Sequence, residues 1–91
     1  MTTLEVLRAA RALIDTPDKW CQGAYERDGR RCLVGAVWKV EKWFSQQKVF
    51  RCLGDQLPPG SLPELGVWND HATHAEVMAL FDRAIAAQEQ A

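Results

Sequence analysis

The chain lacks most of what would announce a function. Its longest apolar stretch falls well short of the roughly 18 residues that span a bilayer, so no membrane helix is expected. Glu5 and Arg8 interrupt the first turns where an apolar signal core would lie, and secretion is not expected either. There is no Cys-x-x-Cys pair: the three cysteines, 21, 32 and 52, are odd in number and lack framework spacing. Without an export signal they read as reduced thiols in the cytosol. There is no internal repeat and no low-complexity tract. A formal net charge of −1 gives no overall pull toward nucleic acid or anionic lipid.

What is present is an ordinary globular composition. Of 91 residues, 47% are hydrophobic and 25% charged, which argues against disorder and suits one small domain. Four tryptophans supply much of the burial area that a small core needs. Charge is uneven: residues 1–45 carry eight Lys/Arg against six Asp/Glu, and residues 46–91 three against six. Arg27, Arg30, Arg31, Lys39 and Lys42 make a local basic patch, too small to decide a partner.

Hydrophobic spacing predicts a mainly α, compact single domain of three to four helices with a small β-hairpin. Thr2 and Glu5 have capping-box spacing and open a helix over about 3–15, with Val6, Leu7, Ala10, Leu13 and Ile14 inward. Arg11 and Asp15 fall one turn apart as an opposite-charge pair. Thr16-Pro17-Asp18 restarts a short turn that Trp20 anchors. Asp28-Gly29 predicts a tight primed turn and a hairpin over about 24–31.

A second helix is expected over about 32–44, its core stripe being Leu33, Ala36, Val37, Val40, Trp43 and Phe44. Gly35 lies nearly opposite that stripe, which makes sense if another backbone comes close there. Trp38 points away from the stripe. A short helix over 46–53 places Val49, Phe50 and Leu53 inward and ends at Gly54. Three prolines and two glycines predict a loop over 55–66. Trp68 then plugs the core while Asn69 and Asp70 turn the chain. Thr73 and Glu76 repeat the capping-box spacing and open the last helix, about 74–88.

Several groupings have chemical potential. Cys32 begins a helix after Arg30 and Arg31, where dipole and charge would favour a thiolate. With His74 as base and Asn69 or Asp70 orienting it, Cys32 would have the constellation of a thiol-dependent hydrolase or acyl transferase. Against that, Cys32 reads more readily as a small buried hydrophobe, as most free cysteines are, and His74 shares a face with Val77, Met78 and Phe81, as a packed core histidine would. Cys21, Cys32, Cys52, His71 and His74 could ligate zinc, but their spacing forms no local half-site, and neither metal nor cofactor is expected. Trp38 with Tyr25 and the basic patch could bind nucleic acid weakly. The acidic second half weighs against that. An outward Trp38 beside Arg30 and Arg31 suits a protein interface better, joining a homodimer or an unidentified protein partner.

The residues also carry a resemblance. Trp20-x-x-Gly23-Ala24, Cys32-x-x-Gly35-Ala36 and Trp68-Asn69-Asp70 are followed by Thr73-x-x-Glu76-Val77-x-x-x-Phe81-Asp82-x-Ala84-Ile85. Together they resemble a family of small uncharacterised bacterial and phage proteins, a domain of unknown function. The resemblance covers nearly the whole chain and is clearest over 13–37 and 67–85. It places Cys32, Gly35, Asn69, Asp70 and Thr73 on motif positions and leaves Cys21, Cys52, His71 and 45–66 outside. It implies no activity; the link with phage implies an accessory role such as binding and inhibiting another protein. A non-enzymatic interaction module of the cytosol is the functional expectation.

Overall fold

A computed structural model describes residues 1–41 and 45–91. Helix α1 runs Thr3–Leu13, α2 Leu33–Val40, α3 Ser45–Asp55, α4 Leu65–His71 and α5 His74–Glu89, with a 3-10 turn at Pro17–Lys19. Strands β1, Glu26–Arg27, and β2, Arg30–Arg31, pair antiparallel. The architecture is mainly helical with a small hairpin, with five α-helices among the described residues rather than three or four. Among those residues no helix is long and apolar enough to cross a membrane.

Both capping boxes form. The Thr2 hydroxyl accepts from the Glu5 N–H while the Glu5 carboxylate accepts from the Thr2 N–H, and Thr73 and Glu76 do the same at α5. Each box satisfies two donors that the helix start would leave orphaned. Val6, Leu7, Ala10 and Ile14 from the first segment meet Leu33, Ala36 and Val37 of α2 and Val77, Leu80, Phe81 and Ala84 of α5, all fully buried. These three helices make the central core. Val49 and Leu53 of α3 close it from the side.

Helix α1 stops at Leu13, two residues before the expected end, with Ile14 as C-cap. Asp15 therefore leaves the helical register that would have set it beside Arg11. It pairs with Lys19 at 3.1 Å, and Arg11 reaches across to Asp82 of α5 at 2.8 Å. In α2 the described helix ends at Val40, with Glu41 as cap, and the expected stripe positions Trp43 and Phe44 lie outside the described residues.

Two further differences lie in the second half. Gly54 does not end α3, which continues through Asp55. More consequentially, the expected turn at Asn69-Asp70 is helical: both residues sit in α4. Pro63 and Gly66 flank and enter its first turn, which disguises the start. Glu64 supplies the cap instead of Ser, Thr, Asp or Asn, its two carboxylate oxygens accepting from the Gly66 and Val67 N–H groups at 3.0 and 2.7 Å. Loop 55–66 thus shortens at both ends.

Asp28 and Gly29 turn the hairpin with positive φ, 53° and 81°. A primed turn requires that geometry. A two-residue pairing is marginal alone. It is held because the Tyr25 backbone lies directly on Gly35, where an added Cβ would collide with the Tyr25 carbonyl. That is the close backbone approach which a glycine opposite the α2 core stripe suggested.

Substitution of the two helical glycines should therefore diverge. Gly35→Ala is expected to destabilise by about 3 kcal/mol, because backbone and not a flexible side chain would have to move. At Gly54 an added Cβ meets nothing within 4 Å. Gly54→Ala is accordingly expected to stabilise by roughly 0.5–1 kcal/mol. Urea denaturation of both variants measures the pair, and equal effects would refute the assignment.

Candidate functional site

The motif residues converge on one side chain. Asn69 is completely buried, and its amide uses both ends. Its Oδ1 accepts from the Trp20 indole N–H at 2.8 Å and the Leu33 backbone N–H at 3.2 Å, while its Nδ2 donates to the Cys21 carbonyl at 3.1 Å. Leu33 N–H is one of the orphan donors at the α2 start, so a side chain of α4 completes the cap of α2. Around this centre, Gln22 Nε2 donates to the carbonyls of Asn69 and Ala72, and the Gly23 N–H donates to Asp70 Oδ1 at 2.7 Å. The segment from Trp20 to Leu33 is thereby stapled to one short helix.

Cys32 is the N-cap of α2, its sulfur accepting from the Gly35 N–H at 3.4 Å. It is 2% exposed. The expected activation is corrected: burial raises the thiol above its ordinary value, outweighing the N–H groups of Gly35 and Val34 that pull the other way. The nearby Cys21 and Asp70 also push it up, and the adjacent Arg30 and Arg31 do not reverse the direction. Burial raises Cys21 and Cys52 as well.

His74 is engaged elsewhere. Its Nε2 donates to the Ile14 carbonyl at 2.7 Å, since a carbonyl can only accept. Its ring packs against Trp20, with centroids 5.7 Å apart. Among the described residues no hydrogen bond joins Cys32 to His74, and Asn69 and Asp70 bond to Trp20, Leu33, Cys21 and Gly23 rather than to the imidazole. The structure brings Asn69 and Asp70 beside the Cys32 segment and leaves His74 behind Trp20. Among the described residues no three His, Cys, Asp or Glu side chains gather as a metal site.

Two clefts flank this scaffold. One, of about 490 Å³, is lined by Gly23, Tyr25, Cys32, Glu64, Val67 and Asp70 among others. Its neighbour, about 470 Å³, has Val34, Phe50 and Leu65 with Pro63, Arg51 and Glu64, and is walled by Tyr25 and Trp38. Gln47, Phe50, Arg51 and Gly54 enter it from α3 at helical spacing. That spacing was the available signal, obscured because Phe50 was read as inward; it packs against the core while partly buried and also lines the cleft. Tyr25 and Glu64 border both clefts.

Trp38, whose exposure the sequence left open, is 40% exposed and packs tilted against Tyr25, with centroids 4.4 Å apart and ring planes at 55°. Strand alternation separates the two arginines placed beside it. Arg31 pairs with Glu26 and lies with Trp38 and Lys39, whereas Arg30 lines another cleft with Trp20 and Arg27. The basic patch is thus divided between two clefts, and Lys42 lies outside the described residues.

Asn69→Leu keeps the volume and strands three partners, two of them buried, so it should cost about 3 kcal/mol in urea denaturation. Asn69→Asp sets a carboxylate against the Cys21 carbonyl. Folding then favours the protonated acid, raising its folded pKa. The deficit relative to wild type should grow as pH climbs past about 4 and shrink below it. Iodoacetamide labelling of folded protein should find Cys32 slow at neutral pH. A reaction midpoint below about 8.5 would contradict the raised thiol.

No curated protein and no solved structure matches the chain. One family model does, over residues 1–87, nearly the entire length and every residue of the Asn69 network. The chain belongs to the family of unknown function DUF6197.

Proposed function

We propose that the chain is a non-enzymatic protein-interaction module, acting through the face that carries Tyr25 and Trp38. The observation that carries this is where the exposed apolar surface lies. Apart from Met1, the large exposed apolar side chains among the described residues are Tyr25, Trp38, Leu62 and Val67. Tyr25, Trp38 and Val67 line the two neighbouring clefts, and Leu62 directly precedes Pro63 of the second. Concentrated apolar exposure of this kind is what an interface presents.

The pair is also pre-organised. Tyr25 is fixed through its own backbone on Gly35, and Trp38 lies one turn further along the same helix. Aromatic anchors already held in place lose little conformational freedom on binding. The raised Cys32 thiol and the separate engagement of His74 lend no support to a thiol hydrolase. Three free cysteines support a reducing cytosolic setting.

The test is affinity capture from a native extract with wild-type and Trp38→Ala baits of equal circular dichroism and melting temperature. A protein retained by wild type and reduced by about tenfold with Trp38→Ala is the expected result. Identical capture by both baits would sink the assignment to this face.

A further inference from the structure

The Tyr25–Trp38 face holds a ridge and a groove side by side. The ridge is the tilted Tyr25–Trp38 pair, 55% and 40% exposed. The groove beside it has an apolar lining of Val34, Phe50 and Leu65. A two-fold interface places one patch against itself, so that patch must contain both a shape and its complement. Here a rotation that sets each ridge into the opposite groove buries both aromatic pairs at once.

The charges follow the same rule. Arg51 from α3 and Glu64 before α4 both line the groove. Neither forms an ion pair among the described residues. Glu64 caps α4 by accepting from the Gly66 and Val67 backbone N–H groups. A two-fold arrangement that sets each Arg51 against the opposite copy's Glu64 makes two attractions at once. With a net charge of only −1 per chain, long-range repulsion between copies is slight.

We infer that the occupant of this groove is a second copy of the chain, in an isologous dimer closed by Tyr25 and Trp38 and registered by Arg51 and Glu64. This rests on reading the face as an interaction surface and names its partner. A standard interface takes about 800 Å² from each side. The whole accessible surface of this chain is 5392 Å². A patch of the standard size would take about 15% of it.

Sedimentation equilibrium of the full chain, from low micromolar to millimolar, tests the inference. The weight-average mass should rise from 10.3 kDa toward twice that value. Trp38→Ala and Arg51→Glu should each weaken dimerisation about tenfold or more. Arg30→Glu changes net charge equally but lies in a different cleft, and should leave dimerisation unchanged. Circular dichroism confirms that each variant is folded; Arg51 and Arg30 are both exposed, so neither reversal disturbs the core. A wild type that stays monomeric at millimolar concentration overturns the second-copy inference. So does a dimer on which Arg51→Glu acts no more than Arg30→Glu. If the monomeric wild type still captures another protein in a Trp38-dependent way, the interaction surface stands and only its partner changes.

Discussion

The buried carboxamide of Asn69 is the contact on which the other arrangements depend. A side chain with no exposure must use its polar atoms inside the protein, and an amide offers both a donor and an acceptor. Asn69 commits them to an indole, a helix start and a loop carbonyl drawn from positions 20 to 33. Remove it and three separate groups lose partners together. The hairpin is held in turn because its approach to α2 is fixed from both sides, by this tie and by the bare backbone at Gly35. The exposed aromatic pair is downstream of that, since Tyr25 enters the ridge from the hairpin and Trp38 from α2.

Much of the fold was legible because its signals are local. Capping boxes at Thr2–Glu5 and Thr73–Glu76, the Asp28-Gly29 turn and the apolar stripes of α1 and α5 each need only neighbouring residues to act. Gly35 was informative for the opposite reason. A residue that weakens a helix without serving its core face implies a neighbour, and the neighbour is Tyr25.

What was not legible needed tertiary context. Helix α4 begins with a glutamate as cap and a glycine in its first turn, so composition argues for loop while packing of Leu65 and Trp68 selects helix. Asn69 and Asp70 favour turns in isolation, and their helical state depends on partners some 47 to 49 positions earlier in the chain. For Cys32 the reading as a small buried hydrophobe matches its 2% exposure, and the thiolate alternative fails for a tertiary reason. A helix start and two preceding arginines point toward a thiolate, yet burial outweighs them, and burial is a property of the assembled core. The exposed aromatic face could be suspected from Trp38 alone; its groove required α3 and Glu64 to be placed.

Stapling loop, hairpin and α2 to one residue of α4 also shapes how the molecule opens. The amides of Cys21, Gly23 and Leu33 donate respectively to Arg31, Asp70 and Asn69, and all lie within the same web. Fluctuations that free one of them must break ties shared by the others, so this segment opens as one cooperative unit rather than fraying residue by residue. Hydrogen–deuterium exchange would register that as a common protection level across 21–33, well above what a two-residue hairpin could sustain alone. Local breathing at the aromatic ridge is correspondingly suppressed, and that exposed surface is held in one shape until the whole unit lets go.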